Sequence, residues 1–165
     1  MALWATLALS ACAGVRAINY VPSPEFPMEP VSEFTTTRAV TIVNAGDDVT
    51  LDLPARWWAT RRQWTEVCAT IARRELGKRG MAVDGPQARI LKLAFQSVET
   101  RVGAVDVSSN AVLRVETGDG YVATYTADNR AIGVGSDYGR QMDGLMMRAV
   151  KQMLLDPKIV AYLSR

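Results

Sequence analysis

Residues 89–132 read RILKLAFQSVETRVGAVDVSSNAVLRVETGDGYVATYTADNRAI, and this stretch decides the fold. It divides into three runs, Arg89–Arg101, Ala104–Thr117 and Tyr121–Ile132, each rich in β-branched and apolar residues with partial alternation. Gly103 interrupts the first pair. Gly118-Asp119-Gly120 separates the second pair and is a strong hairpin signal, because glycine reaches the positive φ that tight turns require. Three strands joined by short turns predict an antiparallel meander.

Upstream of the meander the period changes. From about Trp58 to Arg79, Trp64, Val67, Cys68, Ile71, Ala72 and Leu76 fall on one helical face. Arg73, Arg74, Lys78 and Arg79 gather at the end, where cations suit the helix dipole, and Gly80 is a natural closing residue. Further upstream, Arg38–Val43 (RAVTIV) reads as a strand. Asn44-Ala45-Gly46-Asp47-Asp48 reads as a turn, and Val49–Leu53 (VTLDL) as its hairpin partner ended by Pro54.

Downstream, Gly133–Gly135 lead to a second helix with Ser136 or Asp137 available as the cap. Its stripe is Met142, Leu145, Met146, Ala149 and Met153. Asp156-Pro157 looks like the cap and first residue of a short last helix bearing Ile159, Val160 and Leu163. The expected fold class is α+β: a largely antiparallel sheet with two amphipathic helices packed on one face, over residues 38–165 as a single domain.

The amino-terminal part carries an address. Residues 1–11 (MALWATLALSA) are an apolar run too short to cross a bilayer core of about 30 Å as a helix, and they match a signal peptide. Leu9-Ser10-Ala11-Cys12 is similar to the lipobox of bacterial lipoprotein precursors. That resemblance implies cleavage before Cys12 and acylation of its thiol, tying the chain to a membrane. Several acyl chains anchor firmly where one is marginal. Ala13, in place of the Asp common in inner-membrane lipoproteins, implies the outer membrane, facing the periplasm. Residues 12–37 hold four of the seven prolines, Pro22, Pro24, Pro27 and Pro30, and read as a tether. A strap packed over the domain through Tyr20, Phe26 and Phe34 is the alternative.

Composition restricts the chemistry. The chain has 165 residues and a net charge of +2, without the basic excess expected of a nucleic-acid binder. It has no histidine and two cysteines. With Cys12 lipidated, Cys68 is left alone on an apolar helix face, so neither a disulfide, a thiolate metal cluster nor a Cys-His pair is available. No cofactor or metal site is expected, and no enzyme; only carboxylate catalysis survives these exclusions. Gly133–Gly139 (GVGSDYG) lacks the Lys-Ser/Thr of a phosphate loop and reads as a flexible connection. Met142, Met146, Met147 and Met153 read as core before groove. The leading interaction candidate is Trp57, Trp58, Arg61 and Arg62, since aromatic and arginine side chains anchor protein interfaces and meet lipid head groups.

The whole layout resembles the YajG-type outer-membrane lipoproteins, a family without established biochemical activity. The likeness lies in the lipobox, the tether, the strand, a long helix closing in Leu76-Gly77-Lys78-Arg79-Gly80-Met81, the meander, and the terminal Asp156-Pro157-Lys158-Ile159. It supplies no catalytic residues to carry over, and the leading expectation is a lipid-anchored, non-enzymatic envelope protein that contacts an envelope protein partner. A lipid- or glycolipid-binding accessory of a transport or assembly system is the second expectation.

Overall fold

The computed structural model describes residues 17–31, 34, 38–80, 82, 85, 87–132 and 138–164. In chain order the elements are β1 (Ile18–Asn19), β2 (Val40–Asn44), β3 (Thr50–Leu53), β4 (Trp57–Thr60), α1 (Arg61–Gly77), β5 (Arg89–Val102), β6 (Asp106–Thr117), β7 (Val122–Ile132), α2 (Tyr138–Leu155) and α3 (Pro157–Ser164). The expected cap at Ser136 or Asp137 and the loop from Gly133 lie outside the described residues.

The main sheet has the order β2-β5-β6-β7. The β5–β6 and β6–β7 pairs are antiparallel, as the meander predicts, and β2 joins parallel to β5. Gly120 takes a φ of +91° in the β6–β7 turn, the conformation for which glycine is suited. A bulge between Phe95 and Ser97 inserts one residue into β5. The alternation of faces therefore shifts: Leu91, Leu93 and Phe95 point to the core before it, and Val98 and Thr100 resume that face after it.

Both long helices lie on this one face, α1 against β5 and β2, α2 against β6 and β7. The fold class is α+β, as the sequence predicts. The α1 stripe of Trp64, Cys68, Ile71, Ala72 and Leu76 is fully buried, and so is the α2 stripe of Met142, Leu145, Met146, Ala149 and Met153. Burying each large side chain contributes about 1.5–3 kcal/mol, which is why these stripes and not helix propensity hold the elements in place. Trp64 meets Phe95 with ring centroids 5.0 Å apart, and Cys68 Sγ sits 3.6 Å from Met146 Sδ. The Asp156-Pro157 reading holds: the Asp156 carboxylate accepts from the Lys158 amide at 2.8 Å at the start of α3.

Three expectations are corrected. First, Val49–Leu53 does not form a hairpin with β2. The intervening loop is pinned across the start of α1, where the Arg61 and Arg62 amides donate to the Val49 and Asp47 carbonyls at 3.0 and 2.7 Å. β3 pairs instead with β4 in a second, three-stranded sheet of order β1-β4-β3. Second, Trp57–Thr60 is that central strand and not the first turn of the helix. Aromatic residues favour strands, and Thr60 is the cap of α1, accepting from the Gln63 amide while the Gln63 side chain accepts from the Thr60 amide. Third, the tether expected over residues 12–37 gives way, across residues 17–31, to the strap. Proline forbids a sheet interior or a helix there, yet leaves an edge position and surface packing open.

Candidate interaction surface

The strap begins as β1, which adds parallel to β4 with Ile18 beside Trp57 and Asn19 beside Trp58. The Tyr20 amide donates to the Trp58 carbonyl at 2.9 Å, and Trp64 Nε1 donates to the Tyr20 carbonyl at 3.2 Å. The Tyr20 hydroxyl lies 2.8 Å from the Gly139 carbonyl and 3.2 Å from Asp143 Oδ1. Burial first, and then the Asp143 carboxylate, push its pKa upward, so the phenol stays a donor. Beyond Tyr20 the strap runs down between the helices. Arg74 donates to the carbonyls of Pro24 and Phe26, and Arg79 to that of Val31. The Ser23 amide donates to Asp143, and Lys151 pairs with Glu29.

Adjacent strand residues face opposite sides, so the predicted cluster is split. Trp57 turns inward, stacked on Tyr20 and 5.1 Å from the Tyr138 ring. Trp58 turns outward, between Asp52 on β3 and Asn19 on β1. The two arginines are engaged by the acidic turn: Arg61 with Asp47 at 3.3 Å and Arg62 with Asp48 at 2.8 Å. Of the two tryptophans, Trp58 is the exposed one, and the Arg62 side chain is exposed as well. Leu9, Ser10, Ala11 and the lipidation candidate Cys12 lie outside the described residues.

The strap creates a second feature that the sequence reading missed. Phe26, Pro27, Met28 and Glu29 form one wall, and Arg140, Gly144, Met147, Arg148 and Lys151 of α2 form the other, around an open groove of about 320 Å³. That volume stands at the lower end for small-molecule sites. Its cations do structural work as well: Arg148 donates to the Asp128 carbonyl on β7, and Lys151 holds Glu29. The spacing 140, 144, 147, 148, 151 marks one helix face and was legible. That the strap supplies the opposite wall was not. The core methionines do not open a cavity, since Met142, Met146 and Phe95 have no exposed surface.

Cys68 is enclosed, and burial raises its thiol pKa to about 12, leaving it protonated and unreactive. Among the described residues no group of three His, Cys, Asp or Glu side chains is placed to hold a metal, and no helix is long and apolar enough to cross a membrane.

No family model matches this chain. No curated protein matches it either. Among solved structures, a Xanthomonas campestris protein of the DUF330 family is similar, with 11% identity, 88% of this chain and 91% of that one covered, and a TM-score of 0.45. A minor lipoprotein from Acinetobacter baumannii shares 12% identity over 78% of this chain and 92% of its own, with a TM-score of 0.43. A Helicobacter pylori homologue of a neuraminyllactose-binding hemagglutinin shares 11% identity over 87% of this chain and 94% of its own, with a TM-score of 0.36.

Proposed function

We propose that this chain is a lipid-anchored lipoprotein of the bacterial envelope, whose folded part is a non-enzymatic interaction module. The supporting observation is a spacing. Leu9-Ser10-Ala11-Cys12 follows the apolar run directly, and Ile18, six residue steps beyond Cys12, is already a strand of the domain. Six steps span about 20 Å at full extension. An acylated Cys12 therefore holds the domain close to the bilayer, where a long free tether would have let it roam. In this reading residues 1–11 are removed, the anchor sits in the outer membrane facing the periplasm, and an envelope protein is met through exposed surface such as that around Trp58. The resemblance to YajG-type lipoproteins agrees with it.

The groove between strap and α2 favours a second reading, a lipid- or glycolipid-binding accessory of a transport or assembly system. Phe26, Met28 and Met147 offer apolar contact beside Arg140 and Arg148.

The anchor is tested in bacteria by labelled fatty-acid incorporation and mass spectrometry. The parent protein is expected to carry acyl chains on a new terminus at Cys12, and Cys12→Ser to remain an unlabelled precursor. A parent chain with an intact, unacylated Met1 terminus removes the anchor reading.

A further inference from the structure

The three large apolar side chains most exposed in the described residues lie at one end of the main sheet, Ile132 at 86%, Val102 at 71% and Val105 at 67%, with Val102 on the helix-covered face and Ile132 on the other. Val102 and Val105 belong to the β5–β6 turn, and Ile132 lies beside Asp106 at the end of β7. The turn is tight. The Gly103 amide donates to the Asp106 carbonyl at 2.7 Å, and a Cβ on Gly103 would stand 2.3 Å from Asp106 Oδ1. Gly103 therefore lets the chain reverse closely enough to project Ala104 and Val105 beyond the last paired residues.

The start of the described strap is linked to this end by a chain of contacts. Ile18, itself 57% exposed, pairs with Trp57; the Trp57 ring is 5.1 Å from that of Tyr138; and the Tyr138 hydroxyl is 3.0 Å from Thr100 Oγ1. Thr100 is two residues before Val102 on β5. The tip then extends about 7–10 Å beyond the Thr100 row at strand rise, and six residue steps let Cys12 stand up to about 20 Å from Ile18.

We propose that this apolar tip, Val102, Val105 and Ile132, is a bilayer-contacting surface that dips into the lipid interface and sets the orientation of the domain. The inference rests on the anchor reading above and adds which end of the fold meets the membrane. Aliphatic side chains at a narrow turn suit shallow insertion among lipids. The exposed Arg101 and Arg130 flank the tip, Arg130 paired with Asp106 at 2.8 Å, at a height suited to lipid phosphates. Exposed apolar surface gathered at one place marks sites of protein or membrane contact.

The test uses the full-length protein purified from bacterial membranes and reconstituted into phosphatidylethanolamine–phosphatidylglycerol vesicles. A nitroxide is placed at Val105→Cys or, as a control on the solvent face of β7, at Thr124→Cys; the buried Cys68 does not compete, and any unacylated sample is labelled again in the Cys12→Ser background, where no second free thiol is exposed. The Val105 label is expected to be several-fold more accessible to oxygen, and several-fold less to a water-soluble nickel chelate, than the Thr124 label. Val102→Ser with Ile132→Ser is expected to shift the Val105 label back toward water. A Val105 label as open to nickel as the control overturns the proposal, and so does one shielded from both reagents, which would mean protein covers the tip. Mass spectrometry of the same samples separates the two readings. An acylated protein with Val105 in water loses the tip alone. An unacylated protein whose Val105 label still enters lipid loses the anchor and supports the tip.

Discussion

The Tyr20 ring lies flat on the Trp57 ring, with centroids 4.3 Å apart and planes inclined by 14°. This stack reinforces the β1–β4 pairing that joins the strap to the small sheet, and the Tyr20 hydroxyl joins both to α2 through Gly139 and Asp143. Tyr20→Phe keeps the stack and removes these polar contacts, so a loss of about 1–2 kcal/mol is expected. Tyr20→Ala removes both and is expected to lose about 3 kcal/mol or more. Thermal unfolding and amide exchange over Ile18–Ser23 check this; unchanged exchange in Tyr20→Ala would show that the strap is held elsewhere.

Trp57 and Trp58 are expected to differ as their faces differ. Trp57→Ala empties a half-buried site against Tyr20 and Tyr138 and is expected to destabilise by about 2–4 kcal/mol. Trp58→Ala is expected to cost under about 1 kcal/mol, as an exposed substitution does. Chemical denaturation of the two variants decides, and only Trp58→Ala is then suited to probing partner capture without unfolding. Equal destabilisation would refute the assignment of faces.

Gly46 carries a close approach that the reading of its loop as a hairpin turn did not anticipate. A Cβ there would stand 2.4 Å from Thr65 Oγ1 and 2.9 Å from the Arg62 Cα. Thr65 cannot move freely, because its hydroxyl accepts from the Phe95 amide at 2.9 Å and donates to the Arg61 carbonyl at 2.8 Å. Gly46→Ala is expected to lower stability by about 1–3 kcal/mol, the range for overpacking. A melting temperature equal to the parent's would show that the loop can lift from α1.

Asp156 gives the acid limb of stability a specific source. Burial alone would raise its pKa, but hydroxyls of Tyr125 at 2.7 Å and Tyr121 at 3.0 Å, with the Lys158 amide, hold it below the ordinary carboxylate value. A depressed folded pKa contributes stability that is present above the unfolded value of about 4 and is lost as pH falls through the folded value. Between about pH 5 and pH 2 the parent is therefore expected to lose more stability than Asp156→Asn, which has no charge to titrate. Superimposable melting profiles over that range would contradict it.

Arg74 is the hinge pin of the lower strap, donating to Pro24 and Phe26 while pairing with Glu75 at 3.0 Å. Arg74→Ala is expected to speed proteolysis between residues 22 and 31 several-fold, with a global loss of about 1–3 kcal/mol. Protease resistance matching the parent's would assign strap docking to the remaining contacts of Tyr20, Ser23, Arg79 and Lys151.

The amino-acid sequence by itself determined what depends on neighbours along the chain. The stripes of α1 and α2, the Gly118–Gly120 turn, the glycine closing α1 and the Asp156-Pro157 start of α3 were all legible, because periodicity, turn conformation and capping are local. The likeness of Leu9–Cys12 to a lipobox is equally local. What tertiary structure alone decided depends on partners distant in sequence. Val49–Leu53 alternates correctly for a strand, yet alternation does not name the partner, and the loop pinned on α1 turned it toward Trp57–Thr60. The prolines forbade a sheet interior but did not say whether residues 17–31 would swing free or lie on the domain; stacking, edge pairing and arginine-held carbonyls settled that. The candidate Trp57-Trp58-Arg61-Arg62 cluster was contiguous in sequence and divided in space, because a strand sends successive side chains to opposite faces while the acidic Asp47-Asp48 turn was free to reach the arginines.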